Sequence, residues 1–405
     1  MDTVAPPTTR PVRFAPPTAA RHRAGSSTRP PIVTVGTYPP TRCGLATFTR
    51  NTRTGMLATD PDRRIDVIRV SHEADGEGLD APEVIGRWTP ETSPAAVAAC
   101  CARAGAVLLQ HEFGIFGGEH GDDVAEFVSE LTVPLVTVFH TVLADPDPIR
   151  RAITETVARA SRRVIVLSQA GADRLRSGYR VDADRLTVVP HGAELDITRA
   201  RSSVQEPPIV LTWGLLGPGK GIEHGIRAVA NLTGRCRPVR YIVAGQTHPS
   251  VLANEGEAYR ERLRDLARQL GVADLVTFDD GYRDDASLRA LVRSADVVLL
   301  PYDDREQVTS GVLVEAMAAT KPVVATAFPH AVEVVPDQAG IVVPHGDHVA
   351  MADALQVLTT DGRLRRQHVL GSWALGLEHA WPRVGARYVE VLDAVADRAV
   401  PNRWK

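Results

Sequence analysis

From residue 31 onward, short apolar runs alternate along the chain with longer amphipathic stretches. The runs at 32–35, 107–109, 135–139, 163–167 and 186–189 are continuous rather than alternating, which is the signature of strands buried on both faces of a parallel sheet. Between them, 93–104, 121–131 and 148–160 are compatible with helices. The alternation predicts a doubly wound α/β domain over 31–198. A polar stretch ending in Pro207 and Pro208 follows, and 199–208 is expected to be a linker. A second series of runs, at 209–213, 240–244, 276–278, 296–300, 322–326 and 340–343, again alternates with helical segments, one of which carries Leu263, Leu266, Ala267 and Leu270 at helical spacing. It predicts a second Rossmann-like domain over 209–373. The last helical stretch, 374–396, has Trp381, Tyr388, Val391 and Leu392 among its apolar members and no strand after it, so it must dock on something already built. Residues 1–30 scatter five arginines among Pro, Ala, Thr and Ser without the apolar core of a signal peptide, and are expected to form a disordered tail.

Composition agrees with two cores. A chain of 405 residues, 44% hydrophobic and 23% charged, exceeds what a single core usually organises. A formal charge of -3 supplies no basic field for a polyanion, so nucleic acid is not an expected partner and a small or neutral ligand is. Cys43, Cys100, Cys101 and Cys236 form no C-x-x-C pair, which fits a reduced, cytoplasmic setting. No run approaches the roughly 18 apolar residues of a spanning helix, which leaves room only for a peripheral contact with the inner face of a membrane. Nothing in the chain fixes an oligomeric state.

In facing Rossmann-like domains, ligands sit in the crevice at the carboxyl ends of the strands, so the chemistry is sought in strand-to-helix loops. The first, 36–45, brings Gly44 to a helix amino end whose free N–H groups suit a phosphate, and it lacks the G-x-G-x-x-G of dinucleotide enzymes. The second, 110–123, holds two histidines and several carboxylates but no H-E-x-x-H. Its glycines at 114, 117, 118 and 121 suggest a mobile loop for acceptor or donor recognition in place of a metal site. His140 follows a strand and reaches the ligand-bearing edge, to serve the donor sugar or as a structural histidine. The stretch from Gly214 to Gly221 nearly matches the P-loop, with Gly221 where the Mg²⁺-binding hydroxyl belongs; Gly219 and Lys220 still suit a diphosphate. Asp145-Pro146-Asp147 is a D-x-D only in form. In the richest segment, 302–318, the first-turn amides at Ser310, Gly311, Val312 and Leu313 are expected to hold a diphosphate without metal, and Glu315 to accept hydrogen bonds from ribose hydroxyls.

Together these loops resemble the retaining glycosyltransferases of family four, whose GT-B fold is two facing Rossmann-like domains. The resemblance covers about residues 31–396. It is strongest in Leu313-Val314-Glu315-Ala316-Met317-Ala318 followed by Pro322-Val323-Val324-Ala325-Thr326, which is similar to the family's E-x7-E region. Lys220 matches the lysine of its glycine-rich loop, Gly44 its amino-terminal glycine loop, and His140 the histidine beside the donor sugar, while the 374–396 helix matches the one that crosses back to the first domain. Two positions depart from the pattern: Gln307 stands where the first glutamate belongs, with Glu306 one residue out of register, and Leu215 stands where an arginine is common.

The resemblance implies transfer of a hexose from a nucleotide-diphosphate sugar to a carbohydrate or small-molecule acceptor, with no metal or other cofactor, mannose from a GDP donor being preferred. His140, Lys220 and Gln307 would be catalytic. Gly44, Gly219, Ser310, Gly311, Val312, Leu313 and Glu315 would bind the donor, with loop 280–283 choosing the base. The alternative is a nucleotide-sugar-binding protein of the same fold that has lost catalysis, an idea prompted by Gln307 and Leu215.

Overall fold

The computed structural model describes residues 29–71, 81–196, 206–235, 238–281, 283–335 and 338–396. The expected tail at 1–30 and linker at 199–208 therefore lie mostly outside the described residues. Within them the chain forms two parallel sheets. The first contains β1 (Ile32–Gly36), β2 (Ile65–Val70), β3 (Val84–Trp88), β4 (Ala106–His111), β5 (Leu135–Phe139), β6 (Arg163–Val166) and β7 (Leu186–Val188), in the order β3-β2-β1-β4-β5-β6-β7. The second contains β8 (Ile209–Trp213), β9 (Arg240–Ala244), β10 (Val276–Asp279), β11 (Val297–Leu300), β12 (Val323–Thr326) and β13 (Gly340–Val343), in the order β10-β9-β8-β11-β12-β13. Each sheet reverses direction of winding once, at β1/β4 and at β8/β11, and these switch points place the crevices.

The apolar runs form the central strands because both of their faces are covered: Val107, Leu108 and Leu109 on one sheet, and Val297 to Leu300 on the other, are wholly buried. Strands β2 and β3 were not anticipated. In β2, buried Asp66 and Arg69 interrupt the apolar run, and β3 is a half-exposed edge strand containing Gly86 and Arg87. Side-chain caps start several of the helices, the two expected at 93–104 and 148–160 among them. Ser93 precedes Pro94–Cys100, Asp147 precedes Pro148–Ala160, and Ser168 precedes Gln169–Gly178, each side chain accepting from a first-turn amide.

The single helix expected at 374–396 is two. Helix Gly362–Glu378 ends at His379, and helix Trp381–Ala396 begins after a break at which Ala193 N–H donates to the His379 carbonyl at 2.7 Å and Trp381 N–H to the Ala193 carbonyl at 3.2 Å. The backbone groups freed by the break are thus satisfied by the segment leaving the first sheet. The first helix stays with the second domain, where Ser372 Oγ donates to the carbonyls of Lys321 and Ala339. Only the second returns to the first domain, lying along helix Gly44–Thr59. Gly55 and Gly385 make that approach possible, since a Cβ on either would collide with the other helix's backbone. Phe48, Met56, Trp381, Val384, Tyr388 and Leu392 fill the seam. Among the described residues no helix is long and apolar enough to cross a membrane.

Candidate active site

On the first domain, the loop after β1 leads into helix Gly44–Thr59, which Cys43 caps by accepting from Ala46 N–H at 3.3 Å. Gly44 is exposed, and a Cβ there would meet nothing within 4 Å, so packing does not demand the glycine and the space before it is open. His140, directly after β5, pairs its Nε2 with Gln110 Oε1 at 2.8 Å and stands edge-on to the Phe48 ring, 4.6 Å between centroids. Burial, and then the neighbouring His191 and His111, push its pKa down to about 3, so the ring is neutral. His111 is core: wholly buried among Phe113, Phe116 and Phe139, and neutral for the same reason.

Three of the four glycines of loop 110–123 lie in close contact, while a Cβ on Gly114 would meet nothing within 4 Å. A Cβ at Gly117 or Gly118 would meet the carboxylates of Asp123 or Asp122, and one at Gly121 the Phe113 carbonyl, so the loop is a wound turn. Glu112 anchors it, accepting from Thr141 Oγ1 at 2.6 Å and Phe113 N–H at 3.0 Å. Among the described residues no group of three His, Cys, Asp or Glu side chains converges as metal ligands.

On the second domain, the glycine-rich loop folds tightly onto the segment after β11. Gly219 adopts φ +89°, and its carbonyl accepts from Asp303 N–H at 2.9 Å and Asp304 N–H at 3.2 Å. Gly221 adopts φ +59°, and any Cβ there would collide with the Pro301 carbonyl. A serine or threonine cannot occupy this position, so the near-match to the P-loop is closed by sterics. Leu215, where an arginine is common, is exposed. Lys220 Nζ lies 4.4 Å above the Tyr302 ring; burial lowers its pKa, against the opposing pull of Asp304. Tyr302 stacks on Phe328 at 5.1 Å, and Ser310 stands near enough to its hydroxyl to oppose the rise in pKa that burial causes. A continuous path therefore joins Lys220 to the start of helix Gly311–Ala318.

Of the four amides expected to face a diphosphate there, two are committed elsewhere. Ser310 N–H donates to His330 Nδ1 at 2.9 Å, and Leu313 N–H donates to the capping Ser310 Oγ at 3.2 Å, with the Leu313 side chain fully in the core. Ser310 is thus a cap and Leu313 a core residue. Gly311 and Val312 keep first-turn amides with no intrahelical acceptor. A turn further on, burial raises the Glu315 pKa to about 7; a Trp213 side-chain hydrogen bond works against that and the Asp285 charge adds to it. Gln307 donates from Nε2 to its own loop, at the Thr309 carbonyl, 3.0 Å. Glu306 is no substitute for it, because Arg174 of the first domain holds that carboxylate at 2.7 Å. In the loop expected to choose the base, Arg283 donates from Nε to Asp279 at 2.9 Å, and Tyr282 lies outside the described residues.

The two sides meet through residues that the sequence did not single out. A Cβ on Gly311 would stand 2.8 Å from His191 Nε2; the His191 ring lies 4.9 Å from Phe48, and Phe48 contacts His140. Arg50 pairs with Asp285 at 2.5 Å, and Glu333 accepts from the amides of Gln169 and Ala170 at 2.7 and 2.9 Å. Two of the missed residues, Gln110 and Tyr302, stand at or just beyond the carboxyl ends of strands, whereas His330 lies inside the helix that follows β12. A search of every strand's carboxyl end, widened by two residues to either side, finds the first two and leaves out His330.

Residues 44–197 match the model of glycosyltransferase family 4, and 196–369 that of glycosyl transferases group 1. A D-inositol 3-phosphate glycosyltransferase of Xylanimonas cellulosilytica is 30% identical over 365 residues, spanning 83% of this chain and 84% of that protein. An alpha-D-kanosaminyltransferase of Streptomyces kanamyceticus is 27% identical over 281 residues, spanning 64% and 67%. Among solved structures, Anabaena HepE in complex with UDP and glucose superposes with a TM-score of 0.72 at 18% identity, over 90% of this chain and 99% of that one. The sucrose-phosphate synthase of Thermosynechococcus elongatus gives 0.71 at 19%, over 92% and 100%. Both structures share the two-domain GT-B architecture.

Proposed function

This chain belongs to the family-four, group 1 glycosyltransferases and has their GT-B fold, and on that premise we propose that it moves a hexose, mannose from a GDP donor by preference, to a polyhydroxylated sugar or small-molecule acceptor, with retention and without metal. The observation that carries the reading is the path from Lys220 through Tyr302 to Ser310, which sets one cation beside the open amino end of a helix. A cation and the amides of Gly311 and Val312 suffice to stabilise a leaving diphosphate. Glu315 takes the ribose hydroxyls. Gly44 closes on the phosphates from the first domain, where a small residue at an open helix start admits them.

In the reaction, the bond between the anomeric carbon and the diphosphate oxygen breaks, and both electrons leave with that oxygen. The acceptor hydroxyl adds from the same face and passes its proton to the departing oxygen. His140, neutral and fixed by Gln110, meets the donor sugar, and Gln307 exchanges the Thr309 carbonyl for a sugar hydroxyl. The acceptor lies against the wound loop 110–123. The name borne by one relative, a D-inositol 3-phosphate glycosyltransferase, supports a cyclitol-like acceptor, while that of the other, a kanosaminyltransferase, names an amino sugar as the group moved.

Thermal-shift and calorimetric titration with GDP-, UDP-, ADP- and dTDP-sugars in EDTA tests the donor. One nucleotide family should stabilise the protein, and Lys220→Ala should lower turnover roughly a hundredfold or more while the protein stays folded. Near-normal turnover of that variant would remove Lys220 from the mechanism. Donor binding with no transfer to any of a broad acceptor panel would favour the catalytically silent alternative, which Gln307 and Leu215 already prompt.

A further inference from the structure

His330 lies outside every motif considered so far, yet it holds both ends of the turn that opens the donor helix. It is the second residue of the short helix Pro329–Val334, reached directly after β12. Its backbone N–H donates to the Gln307 carbonyl at 3.4 Å, and its ring Nδ1 accepts from Ser310 N–H at 2.9 Å. Because Nδ1 is an acceptor there, the ring proton sits on Nε2. That nitrogen is buried and has no partner among the described residues, in a side chain that is 1% exposed. Buried donors are rarely left unpaired, and an apolar side chain would fill the same space without that penalty. The polar ring is therefore explained by what its other nitrogen does. Ser310 in turn caps Leu313 N–H and reaches Tyr302, the platform under Lys220.

We propose that His330 is a positioning residue for the donor diphosphate: it clamps the 307–310 turn from both ends and so sets where the Gly311 and Val312 amides point. The inference rests on the donor-site reading above. It makes a prediction about which ring nitrogen matters. Asparagine places its Oδ1 two bonds from Cβ, where histidine has Nδ1, whereas glutamine reaches the position of Nε2. If His330 only filled space, the two replacements would be equivalent with respect to the donor.

The experiment is calorimetric titration of wild type, His330→Ala, His330→Asn and His330→Gln with GDP and UDP, alongside thermal unfolding of each. We expect Asn to bind the preferred nucleoside diphosphate within about threefold of wild type, and Ala and Gln to bind it roughly ten- to a hundredfold more weakly. Asn binding as weakly as Gln, or Ala as tightly as wild type, overturns the inference while leaving the donor site standing. If the alanine variant does not fold, the Asn and Gln pair decides. A folded wild type that binds neither diphosphate overturns the donor-site reading itself, and the clamp falls with it.

Discussion

Glu315 shows what burial does to one carboxyl at the edge of a ligand site. Its folded pKa of about 7 lies above the ordinary carboxylate value, so between roughly pH 4.5 and 7 the folded protein holds a proton that the unfolded chain has released. Stability contributed by the neutral form is fully present below that window and is lost as pH rises through it. We expect Glu315→Gln to abolish a decline on the order of 2 kcal/mol, discounted because the residue is only partly buried. Chemical denaturation at pH 5 and pH 8 measures it; an equal decline in the variant would show that another group titrates. Ribose hydroxyls donate more strongly to a charged acceptor, so wild-type donor affinity should rise from pH 6 to pH 8 and that of the variant stay flat. At this scale the sequence was informative about placement: Lys220 stands on the turn after β8 and Glu315 on the helix after β11, as the strand-to-helix pattern requires. It was silent where use depends on a distant partner: the Ser310 amide is lost to a ring 20 residues away, and no local pattern announces that.

Among the elements, the glycine-rich turn before helix Ile222–Leu232 shows a motif whose letters mislead. Restoring the P-loop by Gly221→Ser would place a Cβ against the Pro301 carbonyl and a side chain in a left-handed backbone conformation. We expect a loss of roughly 3 kcal/mol or more and a melting temperature lower by about 6 °C or more, with no gain of nucleotide hydrolysis. Differential scanning calorimetry and a phosphate-release assay check the two halves. The strands were legible in proportion to how completely they are covered. Six apolar runs of the second sheet announced six strands, while β2 escaped notice because Asp66 and Arg69 are buried within it, and β3 because an edge strand has one face to spare. The break at His379 and Ala380 was illegible for a different reason. Both flanking segments are good helix, and what separates them is a backbone pairing with Ala193.

For the whole molecule, three polar clasps join the two domains: Arg50 with Asp285, Glu333 with the amides opening helix Gln169–Gly178, and Arg174 with the Val142 carbonyl on one side and Glu306 on the other. Exposed clasps of this kind contribute little to stability, about 1 kcal/mol or less each, and their effect belongs to the balance between open and closed forms. Glu333→Ala and Arg174→Ala should therefore leave the melting temperature within about 2 °C of wild type while raising KM for the donor roughly three- to tenfold. Steady-state kinetics with small-angle scattering would show it; unchanged KM would mean that closure is set elsewhere. The seam between helices Gly44–Thr59 and Trp381–Ala396 has a consequence on the ribosome. The first domain emerges with Phe48 and Met56 bare, and the helix that covers them, Trp381–Ala396, follows only after the whole second sheet has been translated. A message truncated anywhere before codon 381 yields a first domain that carries an open greasy groove, a ready target for chaperones and proteases, so that only a chain read through helix Trp381–Ala396 can bury the apolar face of helix Gly44–Thr59.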